Sequence, residues 1–246
     1  MEKGRKTAIV TGASRGIGHA TATLFLERGW RVITCSREDI PEERGGDKNW
    51  TAHIPVDLAN ADSVANFITL ANQELDGEPL NALVNNAGMS PKAENQERLG
   101  CLNGDIDAWR DVFELNFFAP LKLGRGFASA LHKGRGAIVN VTSVAGHMIH
   151  PFAGSAYSSS KAALSALTRE MANEFAALDV RVNAVAPGEI STSMIQPEYE
   201  MLIPRIPMNR MGTPEDVARS IYYLCSEDSE YVTGTEVWVT GGQHMF

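Results

Sequence analysis

Apolar, β-branched runs recur along the chain at TAIVT (7–11), RVITCS (31–36), NALVNN (81–86), AIVNVT (137–142), VRVNAV (180–185) and EVWVT (236–240). A weaker run, HIPVD, ends at Asp57. Segments of helical period lie between them: Val64, Phe67, Ile68, Ala71 and Leu75 all fall on one helix face. Strands that alternate with such helices are read as βαβ units, and right-handed crossovers then wind them into one sheet. The pattern therefore predicts an α/β fold: a doubly wound parallel sheet with helices on both faces. No repeat, low-complexity tract or linker divides the chain, and 246 residues suit one domain spanning 1–246.

Two long irregular stretches interrupt this alternation, at 88–106 and 186–213. Both follow predicted strands, and ligands of open α/β sheets bind outside the carboxyl ends of strands. Each is a candidate substrate wall. The Met, Ile and Leu content of 186–213 makes the stronger case, because a solvated loop has little use for it.

The first strand runs into TGASRGIG, with glycines at 12, 16 and 18, and a helix opens there. Glycines permit a tight turn and close backbone approach, and a helix N-terminus offers unpaired N–H groups to a pyrophosphate. The expected ligand is a dinucleotide. In such folds the end of the second strand distinguishes NAD from NADP: an acid meets the ribose 2′-OH, an arginine accommodates a 2′-phosphate. Here Ser36 and Arg37 occupy that place, with Arg15 inside the glycine loop. Two guanidinium groups near one phosphate position favour NADP(H). Glu38 and Asp39 follow at once and keep NAD(H) open.

Composition narrows the partners. The formal net charge is −8 and no basic stripe is present, which argues against nucleic acid or an anionic membrane surface. Cys35, Cys101 and Cys225 are scattered, without a CxxC pair, as expected for a reducing compartment. The first residues carry only a short apolar run, unlike a signal peptide, and no run approaches the ~18 apolar residues of a membrane span. A cytoplasmic, non-membrane protein is expected. The six histidines show no ligand-like spacing, so no metal site is expected; His147 and His150 are read as a surface loop near Ser143.

The stretch SAYSSSK places Tyr157 four residues before Lys161, one helical turn apart on one face. A fixed cation near a phenol lowers the phenol pKa, and a general acid–base group works best with a pKa near the operating pH. Such a pair suits the transfer of one proton to or from an oxygen.

The ordered set TGASRGIG, NNAG (85–88), Asn116, Ser143, YSSSK (157–161) and PG (187–188) resembles the short-chain dehydrogenase/reductase family from about Thr7 to Gly242. The resemblance implies a single-domain Rossmann-like enzyme, a homotetramer or homodimer, that transfers hydride between a nicotinamide and a carbonyl or alcohol. It makes Tyr157 the general acid or base and gives Lys161 the tasks of lowering its pKa and holding the nicotinamide ribose. Ser143 would hold the substrate oxygen, and Asn116 would position Lys161 through a water. Cofactor contacts would come from Gly12, Ser14, Arg15, Gly16, Ile17, Gly18, Ser36, Arg37 and, at the adenine, Asp57 and Leu58. Asn85, Asn86, Ala87 and Gly88 would line the adenosine side and brace the central strands, with Pro187, Gly188, Ile190 and Thr192 at the nicotinamide end. Thr240 stands where the family often has an acid before the final glycine pair, and the terminal QHMF could pack at a subunit interface.

Among relatives the pattern is similar to 3-oxoacyl-acyl-carrier-protein reductases, which present basic residues at two helix ends to an acidic carrier. Lys133 and Arg135 lie near one such end, but Asp179 stands at the other. With a net charge of −8, a free small or medium carbonyl compound ranks first as substrate and the carrier-bound one second. A dinucleotide-sensing protein without catalysis is the reading of a different class; the complete Asn116, Ser143, Tyr157 and Lys161 set argues against it.

Overall fold

All seven apolar runs form strands in the computed structural model, which describes residues 5–38, 49–93, 97–192 and 197–245. They are β1 (Thr7–Thr11), β2 (Arg31–Ser36), β3 (Trp50–Pro55), β4 (Ala82–Asn85), β5 (Ala137–Val141), β6 (Arg181–Pro187) and β7 (Glu236–Val239). The strands pair in parallel in the order β3-β2-β1-β4-β5-β6-β7, the doubly wound sheet expected from the sequence. The weaker run departs from expectation: β3 ends at Pro55, two positions before Asp57. The chain turns off this edge strand there because Val56 N–H donates to Ser36 O (2.9 Å) and the Asp57 carboxylate accepts from Ala59 N–H (3.0 Å).

Alternate strand residues face opposite ways, so each strand feeds two cores. Ile9, Ile33, Leu83 and Ile138 pack beneath α2 (Ala61–Leu75), α4 (Ala119–Gly126), α5 (Ala128–Gly134) and α6 (Ser155–Phe175). Ala8, Val10, Val32, Val84 and Val139 pack beneath α1 (Gly16–Glu27) and α7 (Pro214–Cys225) on the other face. In α2 the predicted stripe is the buried one: Val64, Phe67, Ala71 and Leu75 are at most 1% exposed. Asn60 caps its first turn by accepting from Ser63 N–H (2.9 Å).

A polar chain crosses the apolar interior. Asn85 on β4 donates through Nδ2 to Asn140 Oδ1 on β5 (2.8 Å), and Asn140 Nδ2 donates to Thr168 Oγ1 on α6 (2.9 Å). Thr168 Oγ1 in turn donates to Leu164 O (2.8 Å). Buried amides need such partners, and here they fasten the two central strands to α6. Among the described residues no helix is long and apolar enough to cross a membrane.

Candidate active site

The strand order reverses between β1 and β4, and the chain leaves the two strands toward opposite faces of the sheet, opening a cleft outside their carboxyl ends. TGASRGIG forms one wall. Gly12 adopts φ +66°, and a Cβ there would stand 2.9 Å from Ala87 Cα. A Cβ at Gly18 would meet Gly12 O at 2.3 Å, so helix α1 approaches β1 as closely as a missing side chain allows. Arg15 precedes the first turn of α1 with extended backbone and no side-chain cap. Its N–H groups are thus left for solvent or an anion, as a pyrophosphate requires. The facing wall is pinned: Asn86 Nδ2 donates to Thr11 O and Gly12 O (3.0 and 3.1 Å), while Thr11 Oγ1 accepts from the amides of Asn86 and Ala87 (both 3.0 Å). These residues fit a dinucleotide. Gly18→Ala is expected to destabilise the fold by about 1–3 kcal/mol through overpacking, read as a lower Tm.

At one end the cleft is lined by Arg15, Ser36, Arg37 and Glu38, with Val56 and Leu58 beneath. Ser36 Oγ donates to Glu38 O. Asp57 stands exposed at the turn into α2, where its carboxylate accepts from Ala59 N–H (3.0 Å). Asp39 lies outside the described residues.

At the other end stand Ser143, Tyr157, Lys161, Gly188, Ile190 and Thr192. Ser143 lies two residues beyond β5, where its Oγ accepts from Ala145 N–H (3.2 Å) and it stands with Tyr157 on the cleft wall. Lys161 lies one turn along α6, its Nζ 5.7 Å from the Tyr157 ring centroid, donating to Val141 O (2.7 Å). Burial lowers the Lys161 pKa to about 8. Burial also raises the Tyr157 pKa; the Ser143 hydrogen bond pulls it down and the Glu189 charge pushes it up further. The direction is opposite to the one expected from Lys161, because desolvation of the phenolate outweighs a cation whose proton is engaged by a carbonyl.

Asn116 sits in a π-helical turn, Glu114–Phe118, between α3 (Ile106–Phe113) and α4. The turn directs its amide to the backbone of Met89, accepting at Oδ1 from the amide (3.0 Å) and donating to the carbonyl (3.1 Å), and on to Ser160 Oγ (2.9 Å). A Cβ on Gly88 would lie 3.3 Å from Lys161 Nζ and 3.4 Å from Asn116 Oδ1. The bare glycine thus brings Asn116, the NNAG segment and Lys161 into one corner.

The two irregular stretches differ in what they do. In 88–106, Lys92 and Arg98 donate to the carbonyls of Phe152 and Ala153 (3.1 and 2.7 Å), and Leu99 O accepts from Ser155 N–H (2.7 Å), so this loop covers the start of α6. Residues 94–96 lie outside the described residues, as do 193–196 and 246. In the second stretch Leu202, Pro204, Arg205 and Pro207 wall a cavity of about 500 Å³ with Ile149 and Gln243. His150, expected on a surface loop, is 5% exposed and bonded to Glu189 (2.7 Å). Glu189 went unnoticed in the sequence; the signal was an acid between Gly188 and Ile190 in an otherwise apolar PGEI. Among the described residues no cluster could hold a metal ion.

A dinucleotide cradle at the switch point and a serine–tyrosine–lysine set on the same cleft define an oxidoreductase fold of the Rossmann type. The chain belongs to the short-chain dehydrogenase/reductase family: a family model described as enoyl-(acyl carrier protein) reductase matches residues 12–244. Protein FixR of Bradyrhizobium diazoefficiens is 50% identical over 98% of this chain and 87% of its own length. A short-chain dehydrogenase/reductase of Brucella ovis, solved with a partially ordered NAD, is 46% identical with a TM-score of 0.82, over 96% of this chain and all of that one. The 3-oxoacyl-(acyl-carrier-protein) reductase FabG of Vibrio cholerae is 34% identical over 98% of both chains.

Proposed function

We propose that this chain, acting as one NAD(P)-binding domain, interconverts a small or medium carbonyl compound and its alcohol. The observation that carries this reading is that Ser143, Tyr157 and a buried lysine one helical turn along from Tyr157 line the same cleft wall. The bound nicotinamide supplies or accepts the hydride. Tyr157 protonates the substrate oxygen in reduction and takes the proton back in oxidation. Ser143 holds that oxygen by a hydrogen bond and steadies its developing charge. With a pKa near 8, Lys161 can lose and regain a proton at neutral pH, and Asn116 fixes the NNAG backbone against it.

The cradle (Gly12, Ser14, Arg15, Gly16, Ile17, Gly18), with Asn86, Ala87, Gly88, Pro187 and Thr192, would hold the dinucleotide. Arg15 and Arg37 on its adenosine end support NADP(H). A second reading, NAD(H), is supported by Glu38 on the same wall and by the NAD complex of the Brucella ovis relative. Titration of the protein with NADPH and NADH, with Arg37→Ala alongside, separates them. The expected result is tighter NADPH binding that falls about tenfold in the variant, the scale of a charge-assisted hydrogen bond; tighter NADH binding overturns the role of Arg37.

The Vibrio cholerae relative supports the carrier-bound 3-oxoacyl group as an alternative substrate. Against it, Asp179 stands where a basic residue would meet an acidic carrier. A cytoplasmic homotetramer or homodimer is the setting this reading carries, testable by light scattering of the purified protein.

A further inference from the structure

Ser160 sits on α6 between Tyr157 and Lys161 and is fully buried. A serine hydroxyl carries a single proton, and here Ser160 Oγ donates it to Tyr157 O (2.8 Å). The oxygen remains free to accept, and Asn116 Nδ2 donates to it (2.9 Å). The second Nδ2 proton goes to Met89 O (3.1 Å), while Asn116 Oδ1 accepts from Met89 N–H (3.0 Å). The direction of every bond is therefore fixed. Turning the Asn116 amide over would set N–H against N–H at Met89.

A serine bonded back to a carbonyl of its own helix is ordinary. The second bond is not, because it comes from a different element: the π-helical turn at Glu114–Phe118 aims Asn116 across to α6. Such turns recur at functional sites. The result is a continuous bridge from Met89, which lines the cleft beside Gly88, through Asn116 and Ser160 to the Tyr157 peptide. A buried network with all its members satisfied specifies one arrangement. The Tyr157 side chain springs from the peptide that Ser160 holds, so a shift of this turn moves the phenol oxygen with it. Displacing a reacting group by about 1 Å can slow a reaction about 10²-fold.

We propose that Ser160 is a positioning residue: it ties the turn of α6 that carries Tyr157 to the cofactor wall at Met89, and so sets the phenol oxygen at a fixed place relative to the nicotinamide. This rests on the oxidoreductase reading above. Being fully buried, Ser160 meets no substrate itself and acts through Tyr157 and Asn116.

The test uses whichever of 2-heptanone, cyclohexanone and ethyl acetoacetate wild type reduces fastest, with reduced cofactor carrying hydrogen or deuterium at the transferred position. Ser160→Ala is expected to lower kcat about tenfold, with substrate KM and cofactor Kd changed by no more than about twofold. The deuterium isotope effect on kcat should stay at least as large as in wild type, since the chemical step is the one slowed. Ser160→Thr keeps the hydroxyl and should restore kcat to within about threefold. Ser160→Cys keeps the shape but is a weak acceptor and should follow the alanine variant, which answers alone if the threonine does not fold. Unchanged kcat in Ser160→Ala, even with a lower Tm, makes the serine a packing residue and overturns the proposal. So does a loss confined to KM or Kd, or an isotope effect that disappears as kcat falls. Wild type that binds cofactor and reduces none of the three ketones refutes the oxidoreductase reading, and this proposal with it.

Discussion

Tyr157→Phe is expected to lower kcat about 10³-fold, the usual weight of a positioned general acid, with cofactor affinity changed by no more than about twofold. The substitution removes one hydroxyl and keeps the ring, so the cleft wall and the Lys161 stem beside it stay in place. Without the hydroxyl, the cleft wall beside Ser143 loses its proton donor, and the substrate oxygen must collect its proton from water. Single-turnover rates at saturating cofactor, with a fluorescence titration of binding, give both numbers. A variant that keeps most of its kcat removes Tyr157 from the mechanism. A wild type that binds cofactor and turns over nothing restores the sensing protein as the better description.

Lys161→Met is expected to abolish most turnover and, at neutral pH, to raise the melting temperature. Holding a lysine at a pKa of about 8, well below its ordinary 10.5, means the folded state pays for its charge, by about 3 kcal/mol. The lost hydrogen bond to Val141 O offsets about 1 kcal/mol of the gain. A net of about 2 kcal/mol predicts a rise of about 5 °C for a chain of this size. The sign follows from linkage: the unfolded lysine binds its proton more tightly, so wild-type stability climbs with pH between about 8 and 10.5. The advantage of the methionine variant is therefore complete below pH 8 and fades as pH rises through that window. Melting curves at pH 7 and pH 10 decide it; an equal Tm difference at both would show that the buried charge is not the cause.

The sheet was legible because strands covered on both faces are written as unbroken β-branched runs, and TAIVT or AIVNVT leave little else to form. The edge strand β3 was read two residues off at its end, since only Ile54 of Trp50–Pro55 is fully buried and its pattern is correspondingly weak. The cradle, Ser143, Tyr157 and Lys161 were legible because each sits beside a regular element, at a strand end or within one helix. The π-helical turn at Asn116 was not, because one extra residue per turn leaves no mark on hydrophobic spacing. Nor was the cluster of Glu189, His150 and Gln243: its members are 39 and 54 positions apart, and only the packing of three separate segments makes them neighbours.

The chain of amides from Asn85 through Asn140 to Thr168 has a consequence for how the protein reaches its fold. Parallel strands distant in sequence find one another slowly, and apolar strands offer many near-equivalent alignments. In the native alignment Asn85 faces Asn140 directly across the β4–β5 ladder. A slip of one residue turns the two amides toward opposite helix layers, and a slip of two breaks the amide pair and sets Asn140 against Leu83 or Ala87. A wrong alignment loses the Asn85–Asn140 bond inside a dry interior, while the native one makes it. These side chains act as a proofreading key: they discard mispaired intermediates during folding, a selection that no amount of uniform hydrophobic burial would provide.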